Sequence, residues 1–192
     1  MKMLSADRLA YFEEKVHLVG YSMGGYLAAL TALENPSRIA SLTLIGSTCD
    51  ALAETAQKAR QQTLRLIKNK QYKGMTQKHL AQFFHPSNQQ NKEYLALVKN
   101  MERDLGPGVL AAQYQATASR NNLLPKLAKA SFAVNLIAGE LDNFVSPQTF
   151  RAMQEAIPKA NSHTISNAGH MSPIEQPAEL AKCLAENMTK FG

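Results

Sequence analysis

The sequence predicts an α/β fold, a mostly parallel sheet carrying a helical insertion. Short apolar runs recur at residues 16–19, 39–45 and 132–137, each closely followed by a glycine. Segments with helical apolar spacing follow the first and third of these runs, as a sheet joined by crossover helices requires. Residues 51–120 show helical spacing in pieces, with no strand-like run among them.

The elements follow in order. Val16-His17-Leu18-Val19 reads as a buried strand ending at Gly20. Residues 23–34, MGGYLAALTALE, read as a helix stopped by Asn35-Pro36. IASLTLI, residues 39–45, is a second strand ending at Gly46. In the middle stretch the apolar groups at helical spacing are Leu64/Ile67, Leu80/Phe83/Phe84, Leu95/Val98/Met101 and Leu110/Tyr114. Breaks are expected at Gly74, at His85-Pro86-Ser87-Asn88 and at Gly106-Pro107-Gly108. A third strand spans 132–137 and ends at Ala138-Gly139. Ser146-Pro147 is a good helix start, with Phe150, Met153 and Ile157 on one face. Residues 162–166 form a weaker fourth strand. A last helix begins near Pro177, aligning Leu180, Leu184 and Met188.

Composition bounds the function. The 192 residues are 45% hydrophobic and 19% charged, which is globular and excludes a disordered spacer. No apolar run approaches the roughly 18–20 residues of a membrane span. The start, MKMLSADRLAYFEEK, has no apolar signal core, and Cys49 and Cys183 make neither a CxxC pair nor a disulfide framework. A reducing, cytoplasmic setting is expected. The net charge of +6 arises in residues 51–104, which hold ten Lys/Arg against four Asp/Glu. These basic residues lie in helical sequence without Arg/Gly or aromatic interleaving. They read as a solvated face, or as an attraction for anionic substrates, rather than as a nucleic-acid surface.

The chemistry centres on Gly20-Tyr21-Ser22-Met23-Gly24-Gly25, a G-x-S-x-G pattern between a strand and a helix. A glycine-rich turn without chemistry has the same letters, but the strand before and helix after supply the context a serine nucleophile needs. The turn must be tight, so Gly20 and Gly24 are expected to lack bulk for steric reasons. Ser22 then stands at a helix N-terminus, where developing negative charge is favoured. A serine hydroxyl needs an adjacent base. His17 lies inside a strand, His79 and His85 in the helical middle, and His163 in a strand. His170, in Asn167-Ala168-Gly169-His170-Met171, follows the last strand in a loop of small residues and is the candidate base. The orienting carboxylate is Asp142, after the third strand, with Glu140 and Asp50 as competitors. The order Ser22, Asp142, His170 is one that strand–elbow–helix hydrolases use.

With these residues in view, the chain resembles the α/β-hydrolase superfamily, in its capped serine esterase/lactonase-like branch. VHLVGYSMGGYLAALTALENPSRIASLTLIGS resembles the nucleophile strand, elbow, helix and next strand. AVNLIAGELDNFVSP resembles the acid strand and loop, and HTISNAGHMSPIEQPAEL the histidine loop and final helix. The resemblance implies a hydrolase core at 1–50 and 121–192, with a helical cap or lid at 51–120 that walls the substrate pocket. It implies hydrolysis of an ester, thioester or lactone through an acyl-enzyme, with no metal and no organic cofactor. It places one oxyanion-hole donor at the backbone N–H of Met23. Tyr21, Phe144 and Met171 flank the triad as candidate substrate contacts.

One departure matters. Fifteen residues precede Val16, whereas domains of this type run to roughly 250 residues with several earlier strands. The expectation is therefore that the amino-terminal part of the sheet is missing, and the second oxyanion amide with it. The first strand would then be an edge open to a second copy or a partner chain. The alternative reading is a catalytically weak or inactive remnant that binds a ligand or partner without turnover.

Overall fold

The computed structural model describes residues 11–190. Most of the stretch in which a signal core was sought lies outside them. The first strand, β1 (Val16–Tyr21), runs into helix α1 (Met23–Glu34), and β2 (Ile39–Ile45) follows a single 3-10 turn, Pro36–Arg38. Four helices come next: α2 (Glu54–Lys68), α3 (Gln77–Ala81), α4 (Lys92–Ala116) and the short α5 (Leu124–Leu127). The chain then alternates through β3 (Ala133–Gly139), α6 (Pro147–Ala156), β4 (Asn161–Ile165), α7 (Ser172–Glu175) and α8 (Pro177–Thr189).

The four strands form one parallel sheet in the order β1-β2-β3-β4, the α/β class expected. Parallel strands covered on both faces read as continuous apolar runs, and β2 and β3 are buried at all but one residue each. One face carries Leu42, Leu44, Val134, Leu136 and Ala138 against Ala29, Ala32, Leu127, Phe150 and Met153 of α1, α5 and α6. On the other face Ile45, Ile137 and Ile165 meet Leu180 and Cys183 of α8. His17 is half-buried in β1, its Nδ1 2.7 Å from the Ser41 hydroxyl across the ladder, a structural placement. Both cysteines are buried free thiols. Among the described residues no helix is long and apolar enough to cross a membrane.

Several details differ from expectation. β1 continues through Gly20 to Tyr21, because Gly20 and Tyr21 pair with Leu44 and Ile45 of β2. β4 starts one residue earlier than predicted and ends at Ile165. The break at Gly106 is real: its φ of 73° and ψ of 168° split α4 in two. Met101 and Met188, aligned with buried neighbours in the sequence, are 48% and 36% exposed. Their helices bury a narrower stripe than the spacing suggested.

Both ends of the 51–120 stretch return to the same place. Leu123 N–H donates to the Cys49 carbonyl at 2.7 Å. The Arg120 guanidinium lies 4.3 Å from the Tyr26 ring centre and donates to the Thr48 hydroxyl at 3.0 Å and the Asp50 carbonyl at 3.2 Å.

Candidate active site

A parallel sheet delivers all its strand C-termini to one edge, and the loops beyond that edge meet there. The ladder extends past the strands: Ser22 N–H donates to the Ile45 carbonyl and Gly46 N–H to the Ile137 carbonyl, both at 2.8 Å. Ser22 follows β1, Asp142 follows β3 and His170 follows β4, so three distant stretches of sequence meet above one edge.

Ser22 sits between β1 and α1 with φ 51° and ψ −122°, a conformation sparsely populated for a residue with a side chain. The strain persists because the turn is held by close backbone packing. A β-carbon on Gly20 would fall 2.5 Å from the Gly25 Cα and 2.6 Å from the Gly24 carbonyl oxygen. The sequence-based expectation paired Gly20 with Gly24 as the bulk-free positions, but a β-carbon on Gly24 meets nothing within 4 Å. The tight approach runs between residues 20 and 25. The Met23 N–H, first in α1, has no acceptor among the described residues.

Ser22 Oγ lies 2.9 Å from His170 Nε2, and His170 Nδ1 lies 2.9 Å from Asp142 Oδ2. Asp142 is 1% exposed, and its other oxygen accepts from the N–H groups of Phe144 at 2.7 Å and Val145 at 3.0 Å. A carboxylate only accepts, so the imidazole tautomer that satisfies this contact is the one with its proton on Nδ1, which leaves Nε2 free to accept from the serine. The competing carboxylates go elsewhere. Glu140 accepts from Asn167 N–H at 3.0 Å, and Asp50 lies 3.9 Å from Arg120.

Tyr21 packs against the histidine loop, of which Met171 is part. The Tyr21 hydroxyl donates to the His170 carbonyl at 2.9 Å and touches the Met171 sulfur at 3.0 Å. Burial, then the charges of Asp142 and Glu175, push the Tyr21 phenol well above its ordinary value, so it stays a donor. Met171 packs with Leu80, Phe84 and Val98. Phe144 is 42% exposed, its ring centre 4.8 Å from the His170 ring. Two further residues belong to this setting and were not singled out from sequence. Phe83, from the turn after α3, places its ring 4.7 Å from Phe144 and 6.0 Å from His170. Glu175 accepts from Gly169 N–H at 2.7 Å, next to His170. An FF pair does not tell which ring faces the site, and a glutamate before Gln176-Pro177 has the look of a helix-start charge. Among the described residues no three His, Cys, Asp or Glu side chains converge to hold a metal ion.

A family model described as the alpha/beta hydrolase fold matches residues 8–177. The chain belongs to the α/β-hydrolase family. Among its relatives is 2-succinyl-6-hydroxy-2,4-cyclohexadiene-1-carboxylate synthase of Salmonella schwarzengrund, 28% identical over 195 aligned positions, which cover 97% of this chain and 73% of that one. Among solved structures, a thermophilic esterase from Thermogutta terrifontis, malate bound, superposes with a TM-score of 0.85 at 25% identity, covering 97% of this α/β-hydrolase and 68% of the esterase. The enol-lactonase from Burkholderia xenovorans LB400 shares the fold, with a TM-score of 0.78 at 19% identity over 91% of this chain and 66% of its own.

Proposed function

We propose that this α/β-hydrolase cleaves a carboxylic ester, thioester or lactone through a Ser22–His170–Asp142 triad. The observation that carries the reading is the unbroken relay of two 2.9 Å contacts from the Ser22 hydroxyl through His170 to the buried Asp142. Ser22 Oγ attacks the acyl carbonyl while its proton passes to His170 Nε2. Asp142 stabilises the imidazolium that forms. The Met23 N–H faces the charge that develops on the carbonyl oxygen. The proton on Nε2 then goes to the leaving alcohol or thiol. In the second half, His170 takes a proton from water as its oxygen attacks the acyl-Ser22 ester, then hands that proton to Ser22 Oγ as the acyl–Oγ bond breaks and the acid departs.

The helical stretch 51–120 acts in this reading as a lid whose 82–84 turn walls the pocket. Support comes from the Phe83 ring beside Phe144 and His170, and from the Asn143 amide donating to the Gln82 carbonyl at 2.8 Å. Phe83 and Phe144 line the acyl path, while Tyr21 and Met171 support the base.

The synthase relatives favour a second reading, in which the same relay serves as a general base on a carboxylate-bearing substrate without an acyl-enzyme. The basic excess of residues 51–104 suits such an anion. A fluorophosphonate probe together with a panel of short and long acyl esters tests the two. Ser22 labelling that is lost in Ser22→Ala, with ester turnover, supports the hydrolase. A labelled serine without turnover of any ester favours the second reading.

A further inference from the structure

Glu175 is a carboxylate that the chemistry above leaves unused. It lies in α7, 7% exposed, five residues after His170. Its Oε2 accepts from Gly169 N–H at 2.7 Å. Its Oε1 accepts from His85 N–H at 2.7 Å and from the Asn88 amide at 2.9 Å. One side chain thus joins the histidine loop to the turn that follows α3. The two oxygens meet three N–H donors, so an acceptor-only group fits. A carboxamide of the same shape does not, because either orientation aims its NH₂ at a donor.

Neighbouring contacts act in the same sense. Met171 N–H donates to the Phe83 carbonyl at 3.0 Å. Backbone 83–85 packs so tightly on the histidine loop that a β-carbon on Gly169 would lie 2.5 Å from the His85 nitrogen. The segment carrying Phe83 and the segment carrying His170 are therefore one mechanical unit, with Glu175 at its centre.

We propose that Glu175 is a positioning residue that latches turn 83–88 onto the histidine loop. It fixes the aim of His170 Nε2 at Ser22 and, through the same latch, the place of the Phe83 wall. This role rests on the triad reading above. Hydrogen bonds from backbone N–H groups to a buried carboxylate are of the stronger kind, and a misplacement of about 1 Å at a reacting group costs on the order of 10²-fold in rate.

The test is Glu175→Gln in the full chain, followed by amide hydrogen exchange, fluorophosphonate labelling and ester kinetics. Exchange is expected to rise together in 83–88 and 168–171 while β2 and β3 keep wild-type protection. The kcat is expected to fall about 10–100-fold, with KM for a short acyl ester little changed and Ser22 still labelled, more slowly. Where Glu175→Gln fails to fold, Asn88→Ala removes a single donor on the helical side, and faster exchange in 83–88 with a several-fold lower kcat is the expected result. Unchanged exchange and kcat in the folded variant overturns the proposal. A lower melting temperature with an unchanged kcat does so too, since it leaves a merely structural carboxylate. An active wild type with an indifferent Glu175→Gln sinks this role alone. A wild type that neither labels nor turns over any ester sinks the triad reading and this role with it.

Discussion

Gly46 and His170 approach so closely that a β-carbon on Gly46 would stand 3.2 Å from Nδ1 of the imidazole and 3.3 Å from Oδ2 of Asp142. Gly46 also has a φ of 51°, which residues with side chains adopt at a cost of about 1–2 kcal/mol. Gly46→Ala is therefore expected to press a methyl group against the His–Asp contact. Ester turnover should fall about 10–100-fold, more than the modest loss of melting temperature would explain. Steady-state kinetics beside a thermal melt check this.

Asp142→Asn should preserve the loop and cripple the base. The amide oxygen can still accept from Phe144 and Val145, as Oδ1 does now. The imidazole, however, loses the group that fixes its tautomer. A fall in kcat of about 10⁴-fold, with a near-native melt, is the expected outcome.

Phe83→Ala should widen the acyl path. Its ring contacts Phe144 and borders His170. The ratio of kcat/KM for long over short acyl esters should rise by about tenfold, measured on a homologous ester series.

Arg120→Met should loosen both ends of the helical stretch at once. The Arg120 side chain is 9% exposed and donates to Thr48 and Asp50 while covering the Tyr26 ring. Losing charged hydrogen bonds at a buried site costs about 2–3 kcal/mol. For a chain of this size that is roughly 5–10 °C in melting temperature, read by calorimetry.

Cys49 should make the fold sensitive to alkali. Burial pushes its thiol from 9.0 up to about 12, with Arg120 pulling down and Asp50 adding to the rise. The folded thiol keeps its proton where the unfolded one loses it, so the unfolded state binds fewer protons above pH 9.0 and stability falls as pH rises towards about 12. Cys49→Ala should show a shallower loss of melting temperature between about pH 9 and 12.

The middle of the sheet was legible because β2 and β3 are buried on both faces. The runs at 39–45 and 132–137 are apolar apart from Ser41, Thr43 and Asn135, all three small or mid-sized and buried, and their bounds fall within two residues of β2 and β3. The strand at 162–166 was weaker in sequence for a physical reason: β4 ends the sheet, and Ser162, His163 and Thr164 are exposed. Ser22, Asp142 and His170 could be placed because each follows a strand, and a parallel sheet sends such positions to one edge. Phe83 and Glu175 could not be placed that way. Both depend on how the turn after α3 docks on the histidine loop, a contact between distant segments, ninety positions apart in the His85–Glu175 bond. Hydrophobic spacing says which residues of a helix are inward, not which neighbour they will meet.

The strand order β1-β2-β3-β4 follows the chain, which has a consequence for how the molecule assembles. The unit β1-α1-β2 closes through short connections, and so does β3-α6-β4. Pairing β2 with β3 is different, because everything from residue 46 to residue 132 must be looped out first. Loop-closure entropy grows only slowly with length, so the added residues weigh little on the final stability. They weigh more on the rate, since contacts between distant parts of a chain form late. The Asp142–His170 contact lies within one half of the sheet, whereas the Ser22–His170 contact spans both, so it cannot form before that long loop has closed.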